Sequence, residues 1–309
     1  MKEPAPNLIT RAAARLRQTA SPPTAPTETL LDRAAEASDV PDVAAAHRAA
    51  AAKKAVLEPP RRSEIVTIDR GALARAGVIM PNAQRTRTSE EFRIVKRQVV
   101  AEALREPDLD AGGRNGRLIM VTSARPREGK TFTAVNLAFS LASERDFKVL
   151  LIDADVHRQS LVELFGVKAE KGWVNLLADS SVEFSDVLLR TNVPNLSLLP
   201  SGKGMPGVPE LLSSKRMGVL VNEMVQRYPD RFIIFDAPPC LASSEPSILA
   251  GYVGQIVFVV ESHRTRREEV ESALHLISAC GNIFLLLNKT ENFLTDDFGA
   301  YADYYVPEK

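Results

Sequence analysis

Gly129, Lys130 and Thr131 form a triplet that could bind the phosphates of a nucleotide. They close the stretch Ser123–Thr131, which follows an apolar run and precedes a segment with apolar residues at helical spacing. Amide N–H groups at the start of a helix point at an anion, and the helix dipole favours its charge. Lys130 adds a positive charge for the terminal phosphates, and the Thr131 hydroxyl can bind Mg²⁺. This context predicts a phosphate-binding loop, although Ala124 stands where such loops usually have their first glycine.

Three aspartates stand at the ends of apolar runs elsewhere in the chain. They are Asp153 and Asp155 after Val149–Ile152, and Asp236 after Phe232–Phe235. A carboxylate in such a position is poor strand material unless something binds it. Because Mg²⁺ takes oxygen ligands and usually keeps several waters, candidate metal ligands are Thr131, Asp155 and Asp236. A carboxylate that does not bind the metal could act as a general base, and both Asp153 and Asp155 are open for that role beside Lys130.

The last nine residues contain a cluster of phenolic hydroxyls. Three of the five tyrosines of the chain lie there, at Tyr301, Tyr304 and Tyr305, among acidic residues. Tyrosines without a surrounding core are not needed for packing, so they indicate either a docking segment or acceptors of phosphate. In a chain that also has a phosphate-binding loop, we expect them to be acceptors.

Positioning these residues requires an α/β fold, with a mostly parallel sheet covered by helices on both faces. The predicted strands are Leu118–Val121, Val149–Ile152, Leu196–Leu199, Phe232–Phe235, Ile256–Val260 and Ile283–Leu287. The predicted helices between them are Phe132–Glu144, Val182–Leu189, Pro209–Arg227, Ser247–Gly251 and Arg266–Cys280. In such folds ligands bind at the C-terminal ends of the strands, where the three aspartates are expected.

Composition divides the chain into four regions. Residues 1–60 hold eight of the 20 prolines and little that could form a core, which predicts a disordered arm. Residues 61–115 are expected to contain a short strand at Ile65–Ile68, a helix and a glycine-containing linker. Residues 116–290 form the predicted nucleotide-binding domain, and 291–309 form the tyrosine-containing tail.

The helix in the second region is predicted to run from an N-cap at Ser89 to about Leu104. Its residues Glu90, Arg93 and Lys96 lie three apart and therefore share one charged face. From spacing alone this face is a solvated helix surface.

Charge and hydropathy narrow the possible environments. The 39 basic and 39 acidic residues balance to a net charge of zero, so no global field recruits nucleic acid or a membrane. No apolar run approaches the roughly 18–20 residues needed to cross a bilayer. We therefore expect a cytoplasmic protein that reaches the inner face of the membrane only through a partner.

Taken together, these motifs resemble the bacterial tyrosine kinases of exopolysaccharide synthesis, and among them the autokinases associated with exosortase (PEP-CTERM) systems. The resemblance runs from about Glu90 to Lys289, with the tyrosine tail in addition. It rests on the sequences Glu-Glu-Phe-Arg-Ile-Val-Lys-Arg, Arg-Glu-Gly-Lys-Thr-Phe-Thr-Ala-Val-Asn-Leu-Ala, Leu-Ile-Asp-Ala-Asp-Val-His-Arg, Pro-Glu-Leu-Leu-Ser-Ser and Phe-Asp-Ala-Pro-Pro.

The resemblance implies a P-loop NTPase fold that uses ATP and Mg²⁺ and phosphorylates the tail tyrosines in trans. The ATP-binding residues it implies are Arg127, Glu128, Gly129, Lys130, Thr131, Phe132 and Asn288. Glu90, Arg93 and Lys96 match the helix through which the family associates into rings, so the resemblance replaces the solvated-surface interpretation. It also implies a transmembrane polysaccharide co-polymerase as activator.

Two arginines in the loop depart from the family pattern. Arg127 replaces a glycine, which would cost on the order of 1 kcal/mol if that residue needs a positive φ. Arg125 stands where plasmid-partitioning ATPases carry a lysine that acts in trans. It favours an alternative function, an ATP-hydrolysing dimerisation switch that phosphorylates no protein.

Overall fold

The computed structural model describes residues 65–80, 86–105 and 114–290. The arm predicted for residues 1–60 and the tail with Tyr301, Tyr304 and Tyr305 lie outside the described residues. Within the described ranges, no helix is both long enough and apolar enough to cross a membrane.

One eight-stranded sheet organises the fold and confirms the predicted α/β class. Its strands are β1 (Ile65–Val66), β2 (Leu118–Ser123), β3 (Lys148–Asp153), β4 (Leu189–Thr191), β5 (Leu196–Leu199), β6 (Arg231–Asp236), β7 (Gln255–Glu261) and β8 (Ile283–Asn288). Across the sheet they follow the order β1-β4-β5-β3-β6-β2-β7-β8, and all neighbours are parallel except β4 and β5. The central strands are apolar and buried along their length, as expected for parallel strands covered on both faces.

Ten helices surround the sheet in the described residues. They are α1 (Arg70–Arg75), α2 (Arg87–Ala103), α3 (Lys130–Ala142), α4 (Ser160–Phe165), α5 (Trp173–Ala178), α6 (Phe184–Val187), α7 (Val208–Leu212), α8 (Lys215–Arg227), α9 (Glu245–Leu249) and α10 (Arg267–Leu276). Two apolar clusters result, one on each face of the sheet, centred on Trp173 and Phe258 and on Phe139 and Phe232.

Several sequence-based boundaries were wrong for identifiable reasons. The N-cap of α2 is Thr86 rather than Ser89, because Ser89 occupies the third helical position and completes a capping box with Thr86. The single helix predicted over Pro209–Arg227 is two helices, since Ser214 is extended and begins α8. The helix predicted over Val182–Leu189 is one turn long, and Leu189 already belongs to the unpredicted strand β4.

Helix α3 lies between the sheet and α2, and this position fixes the phosphate-binding loop that precedes it. Ten of its 13 residues are buried, as expected for a helix that is apolar around most of its circumference. Phe92 of α2 contacts Phe132 of α3 edge to face, with 6.1 Å between ring centroids. The buried Gln255 side chain of β7 donates to the Val99 carbonyl and so ties α2 to the sheet.

Candidate nucleotide-binding site

The loop between β2 and α3 has the backbone geometry of an anion cradle. Gly129 is the N-cap of α3 and has φ 100°, a left-handed value. The first N–H groups of α3 follow it and have no partner within the helix, so they can bind a phosphate. Arg127 also has a positive φ, 71°, which carries the conformational cost expected for a side chain at this position.

Contacts within the loop and from residues in the C-terminal part of the domain brace it. The buried Glu128 carboxylate accepts hydrogen bonds from the Arg125 N–H, at 2.7 Å, and from the Thr265 hydroxyl. The Asn288 amide donates to the Glu128 carbonyl at 2.9 Å, and the Lys289 ammonium donates to the Arg127 carbonyl at 2.8 Å. These contacts hold the cradle in place before a ligand arrives, which reduces the reorganisation needed for binding.

Lys130 and Asp155 form a buried ion pair at the end of the loop. The Lys130 ammonium lies 2.9 Å from an Asp155 oxygen, and their side chains are 7% and 3% exposed. Burying two charges costs desolvation energy, and each charge of the pair offsets part of that cost for the other. Both residues line a cavity of about 190 Å³ at the C-terminal ends of the strands.

Asp153 and Asp236 lie side by side at the ends of neighbouring strands β3 and β6. One Asp153 oxygen accepts from the Leu161 N–H at 3.3 Å. The other Asp153 oxygen and both Asp236 oxygens are buried and make no hydrogen bond to any of the described residues. Buried carboxylate oxygens without partners are costly, and a hydrated Mg²⁺ ion supplies such partners.

Electrostatics also favour a cation at this position. Burial, and after it the charge of Asp236, raises the pKa of Asp153 to about 7. The pKa of Asp236 is raised to about 6, because burial outweighs the lowering effect of Lys130 and of the nearby Thr131 hydroxyl. Thr131 and Asp236, two of the predicted metal ligands, are therefore close together, and this donor set fits Mg²⁺. The third, Asp155, is paired with Lys130.

Comparisons with known proteins identify the family. A sequence profile of the AAA domain family matches residues 116–279. The tyrosine-protein kinase YwqD of Bacillus subtilis is 31% identical over 237 residues, which cover 76% of this chain and 94% of that protein. This chain belongs to the bacterial tyrosine kinase family. The predicted family is thus confirmed, whereas the exosortase-associated subtype stays a prediction.

Two further comparisons, one with a sequence relative and one with a solved structure, give similar proteins. The tyrosine-protein kinase CpsD of Streptococcus agalactiae is 32% identical over 202 residues, covering 64% of this chain and 85% of that protein. The kinase domain of the Escherichia coli tyrosine kinase ETK superposes with a TM-score of 0.56 at 24% identity, covering 76% of this chain and 97% of that domain. The second comparison supports the fold of the kinase.

Most of the predicted site residues lie together in the fold. Some of those predicted to bind ATP have a different role in the structure. The Phe132 ring packs against Phe92, so a contact with ATP would come from its backbone N–H. The Glu128 carboxylate and the Asn288 amide brace the loop from within, in the contacts given above. Sequence reasoning missed Thr265 and Ser243, because neither stands in a motif and both reach the site only through the folding of distant segments.

The charged helix face lies apart from the nucleotide site. Glu90 and Arg93 pair with each other at 2.8 Å. Lys96 pairs with Glu144, just beyond the end of α3, and its side chain is only 13% exposed. Together with the exposed Arg97 they line a groove of about 440 Å³ between α2 and the end of α3.

The raised pKa of Asp153 predicts a pH-dependent stability in the absence of nucleotide and Mg²⁺. The folded state keeps a proton that the unfolded chain releases above its ordinary pKa of 3.8. The stability that this proton contributes is fully present below about pH 4 and is lost as the pH rises through about 7. Between about pH 5 and pH 7 we expect a loss on the order of 2 kcal/mol in the free energy of unfolding.

Asp153→Asn tests this prediction, because the amide imitates the protonated carboxyl and can still accept from the Leu161 N–H. Thermal melts in chelator should show a flatter pH dependence for this variant than for wild type. The matched control is Asp179→Asn, which changes an exposed aspartate. Hydrogen bonds from Ser181 lower the pKa of Asp179, so this substitution should leave the slope between about pH 5 and pH 7 as it is. Equal slopes for wild type and Asp153→Asn would contradict the assignment.

Proposed function

We propose that this kinase transfers the γ-phosphoryl group of ATP to Tyr301, Tyr304 and Tyr305 on a neighbouring copy of the chain, and thereby regulates exopolysaccharide synthesis or export. The observation that carries the proposal is the buried pair of Lys130 and Asp155, which lines a cavity beside a braced phosphate cradle. A cation and a carboxylate at one cavity are the two groups that phosphoryl transfer to a hydroxyl needs.

In this proposal ATP is held by the backbone N–H groups at the start of α3 and by Lys130. Thr131 and Asp236 hold Mg²⁺, with the Asp153 carboxylate beside them. Bound Mg²⁺ neutralises negative charge on the phosphates. The residues of the loop need little movement to perform these tasks, because Glu128 and Asn288 already fix its shape.

Asp155 is the proposed general base. It lines the cavity, whereas Asp153 is fully buried and is not among the lining residues. The phenol oxygen forms a bond to the γ-phosphorus as the bond between that phosphorus and the bridging oxygen of ADP breaks. The phenol proton, with an ordinary pKa of about 10, passes to the carboxylate. The position of Asp155 at the cavity supports it as the base, although the pKa of Asp153 is raised to about 7.

Replacing all three tail tyrosines with phenylalanine tests the acceptor assignment. We expect phosphotyrosine in the purified protein to fall to background, while ATP binding is unchanged because the nucleotide site is intact. Mass spectrometry of wild type and of the triple variant, each incubated with ATP and Mg²⁺, measures this. Undiminished phosphotyrosine elsewhere in the triple variant would overturn the assignment. A wild-type protein that hydrolyses ATP but carries no phosphate on tyrosine would instead favour the dimerisation switch.

Arg125, the residue that favours this switch, is engaged within its own subunit. Its guanidinium lies 3.3 Å from Glu269 on α10, and its side chain is about half exposed. An arginine held in this way must break an ion pair before it can reach the nucleotide of another subunit. This contact gives the kinase proposal the advantage over the switch.

The kinase is proposed to assemble into a ring-like homo-oligomer through Glu90, Arg93 and Lys96. It would work in the cytoplasm, recruited to the inner face of the membrane by a transmembrane polysaccharide co-polymerase that activates it. Each phosphate adds roughly −1.5 to −2 charge to a tail that already contains Asp296, Asp297, Asp303 and Glu308. The added repulsion would dissociate the oligomer and make phosphorylation self-limiting.

A further inference from the structure

Strand β8 exposes two leucines side by side, and in the described part of the chain it is the last strand of the sheet. Leu285 and Leu287 are 60% and 58% exposed, and as alternate residues they share one face of the strand. Ile283 lies on that face too, but it packs into the same apolar cluster as Ala273 of α10. Helix α10 thus covers the beginning of β8 and leaves its end open. Single exposed leucines are ordinary, whereas this pair, the β8 patch, is an apolar surface that another segment can cover.

The chain continues from the β8 patch directly into the tail. Lys289 follows β8 with a left-handed φ of 55°, and its ammonium is hydrogen-bonded to the phosphate-binding loop. The tail therefore starts from a fixed point. Leu287 and Leu285 lie roughly 10 and 17 Å back along the strand from Thr290. Residues 291–298 span up to about 26 Å when extended, so both leucines are within their reach and meet them at a high local concentration.

The composition of residues 291–298 fits an apolar surface with basic surroundings. This segment precedes the first tail tyrosine, Tyr301, so accepting phosphate does not require its apolar side chains. It contains no lysine or arginine. Its apolar residues are Phe293, Leu294 and Phe298, and its acidic residues are Glu291, Asp296 and Asp297.

Charge beside the β8 patch favours an acidic segment. The turn before α10 lies against the end of β8, where the Ser262 N–H donates to the Asn288 carbonyl at 2.9 Å. This turn carries three exposed arginines, Arg264, Arg266 and Arg267. Two of them pair with glutamates, whereas Arg266 makes no ion pair with another described residue. A cation in this position attracts an acidic segment that lies over the neighbouring leucines.

We propose that residues 291–298 dock on the β8 patch of their own chain, with their apolar side chains on Leu285 and Leu287 and their carboxylates towards Arg266. Docking leaves residues 299–309, with all three tail tyrosines, free to extend at most about 36–40 Å from the edge of the sheet. The β8 patch thereby sets the reach of the tail. This inference goes beyond the proposed kinase function and does not depend on it.

Photocrosslinking of the full chain, without nucleotide, tests the docking. The protein carries p-benzoylphenylalanine in place of Phe293, which keeps an aromatic ring at that position. We expect crosslinks from position 293 to the peptide of β8, located by mass spectrometry in a gel band of monomer mass. Leu285→Ser/Leu287→Ser should lower their yield at least about fivefold, because the apolar surface is lost. Arg266→Glu should lower it about two- to threefold, with a larger effect at low salt.

Val219→Ser is the matched control, because Val219 is 55% exposed on α8 and should leave the yield unchanged. All these substitutions change exposed side chains, so the melting temperature should stay that of wild type. Crosslinks to β8 in a band of dimer mass would show that a second copy covers the patch and would overturn the proposal. Crosslinks that miss β8, or that persist in Leu285→Ser/Leu287→Ser, would overturn it as well. Since no nucleotide is present, neither outcome bears on the kinase function.

Discussion

Replacing Lys130 with methionine should reduce tyrosine phosphorylation by at least about 10²- to 10³-fold, the usual effect of removing one group that stabilises a developing charge in a transition state. The buried ammonium of Lys130 is placed at the end of the phosphate cradle, and no other lysine is among the residues that line the cavity. Anti-phosphotyrosine blotting after incubation with ATP and Mg²⁺ measures the effect. Phosphorylation within tenfold of wild type would contradict catalysis by this site.

The same substitution leaves the Asp155 carboxylate buried without its partner, which costs roughly 3–5 kcal/mol of stability. Loss of activity through unfolding must therefore be separated from loss of catalysis. Lys130→Met/Asp155→Asn removes both charges and should recover most of the melting temperature while remaining inactive. Lys203→Met is a matched control, because its ion pair with Glu170 is exposed and should affect neither property.

The sheet was predictable from the sequence because strands buried on both faces read as continuous apolar runs. Strand β5 has the predicted bounds Leu196–Leu199, and β2, β3 and β6 each extend one or two residues further. Strand β4 was missed, since the three residues Leu189–Thr191 are too few to show a period. Helix α5 was missed for a related reason, because six residues from Trp173 complete fewer than two turns.

The candidate site was predictable where its chemistry is local in sequence. Gly129, Lys130 and Thr131 stand together, and Asp236 follows its strand directly. The hydrogen bonds that hold the phosphate-binding loop in shape were not predictable, because they join residues far apart in sequence. The Glu128 carboxylate, for example, meets the Thr265 hydroxyl across 137 positions of sequence. A motif therefore locates the phosphate cradle, whereas only the fold shows what holds it rigid.

The charged face of helix α2 also depends on a long-range contact that the sequence pattern does not show. The family pattern assigns Lys96 to self-association beside Glu90 and Arg93. In the structure Lys96 is mostly buried and tied to Glu144, so its first task is to hold α2 against the end of α3. Any contribution of Lys96 to an interface between copies must compete with this internal ion pair, whereas Arg97 is exposed beside the same groove.

Gly129→Ala should lower the affinity for ATP by at least about 100-fold, equivalent to roughly 2.7 kcal/mol. A Cβ atom at this position would lie 2.1 Å from the Asn288 amide nitrogen, and the backbone has φ 100°, which side chains rarely adopt. Relieving the clash would break the hydrogen bond from Asn288 to the Glu128 carbonyl, and relieving the strain would turn the N–H groups of the cradle away from the phosphates. Nucleotide titration by calorimetry measures the loss.

Two further variants separate the clash from the strain. Gly129→Ala/Asn288→Ala removes the amide that the new methyl group would meet but keeps the left-handed backbone at residue 129. Because the backbone conformation sets the direction of the cradle N–H groups, the double variant should regain only a small part of the affinity. Gly281→Ala is the control, because an added Cβ at that position meets nothing within 4 Å, and it should leave the affinity for ATP unchanged. Full recovery in the double variant would show that crowding by Asn288, and not backbone geometry, makes glycine necessary in this cradle.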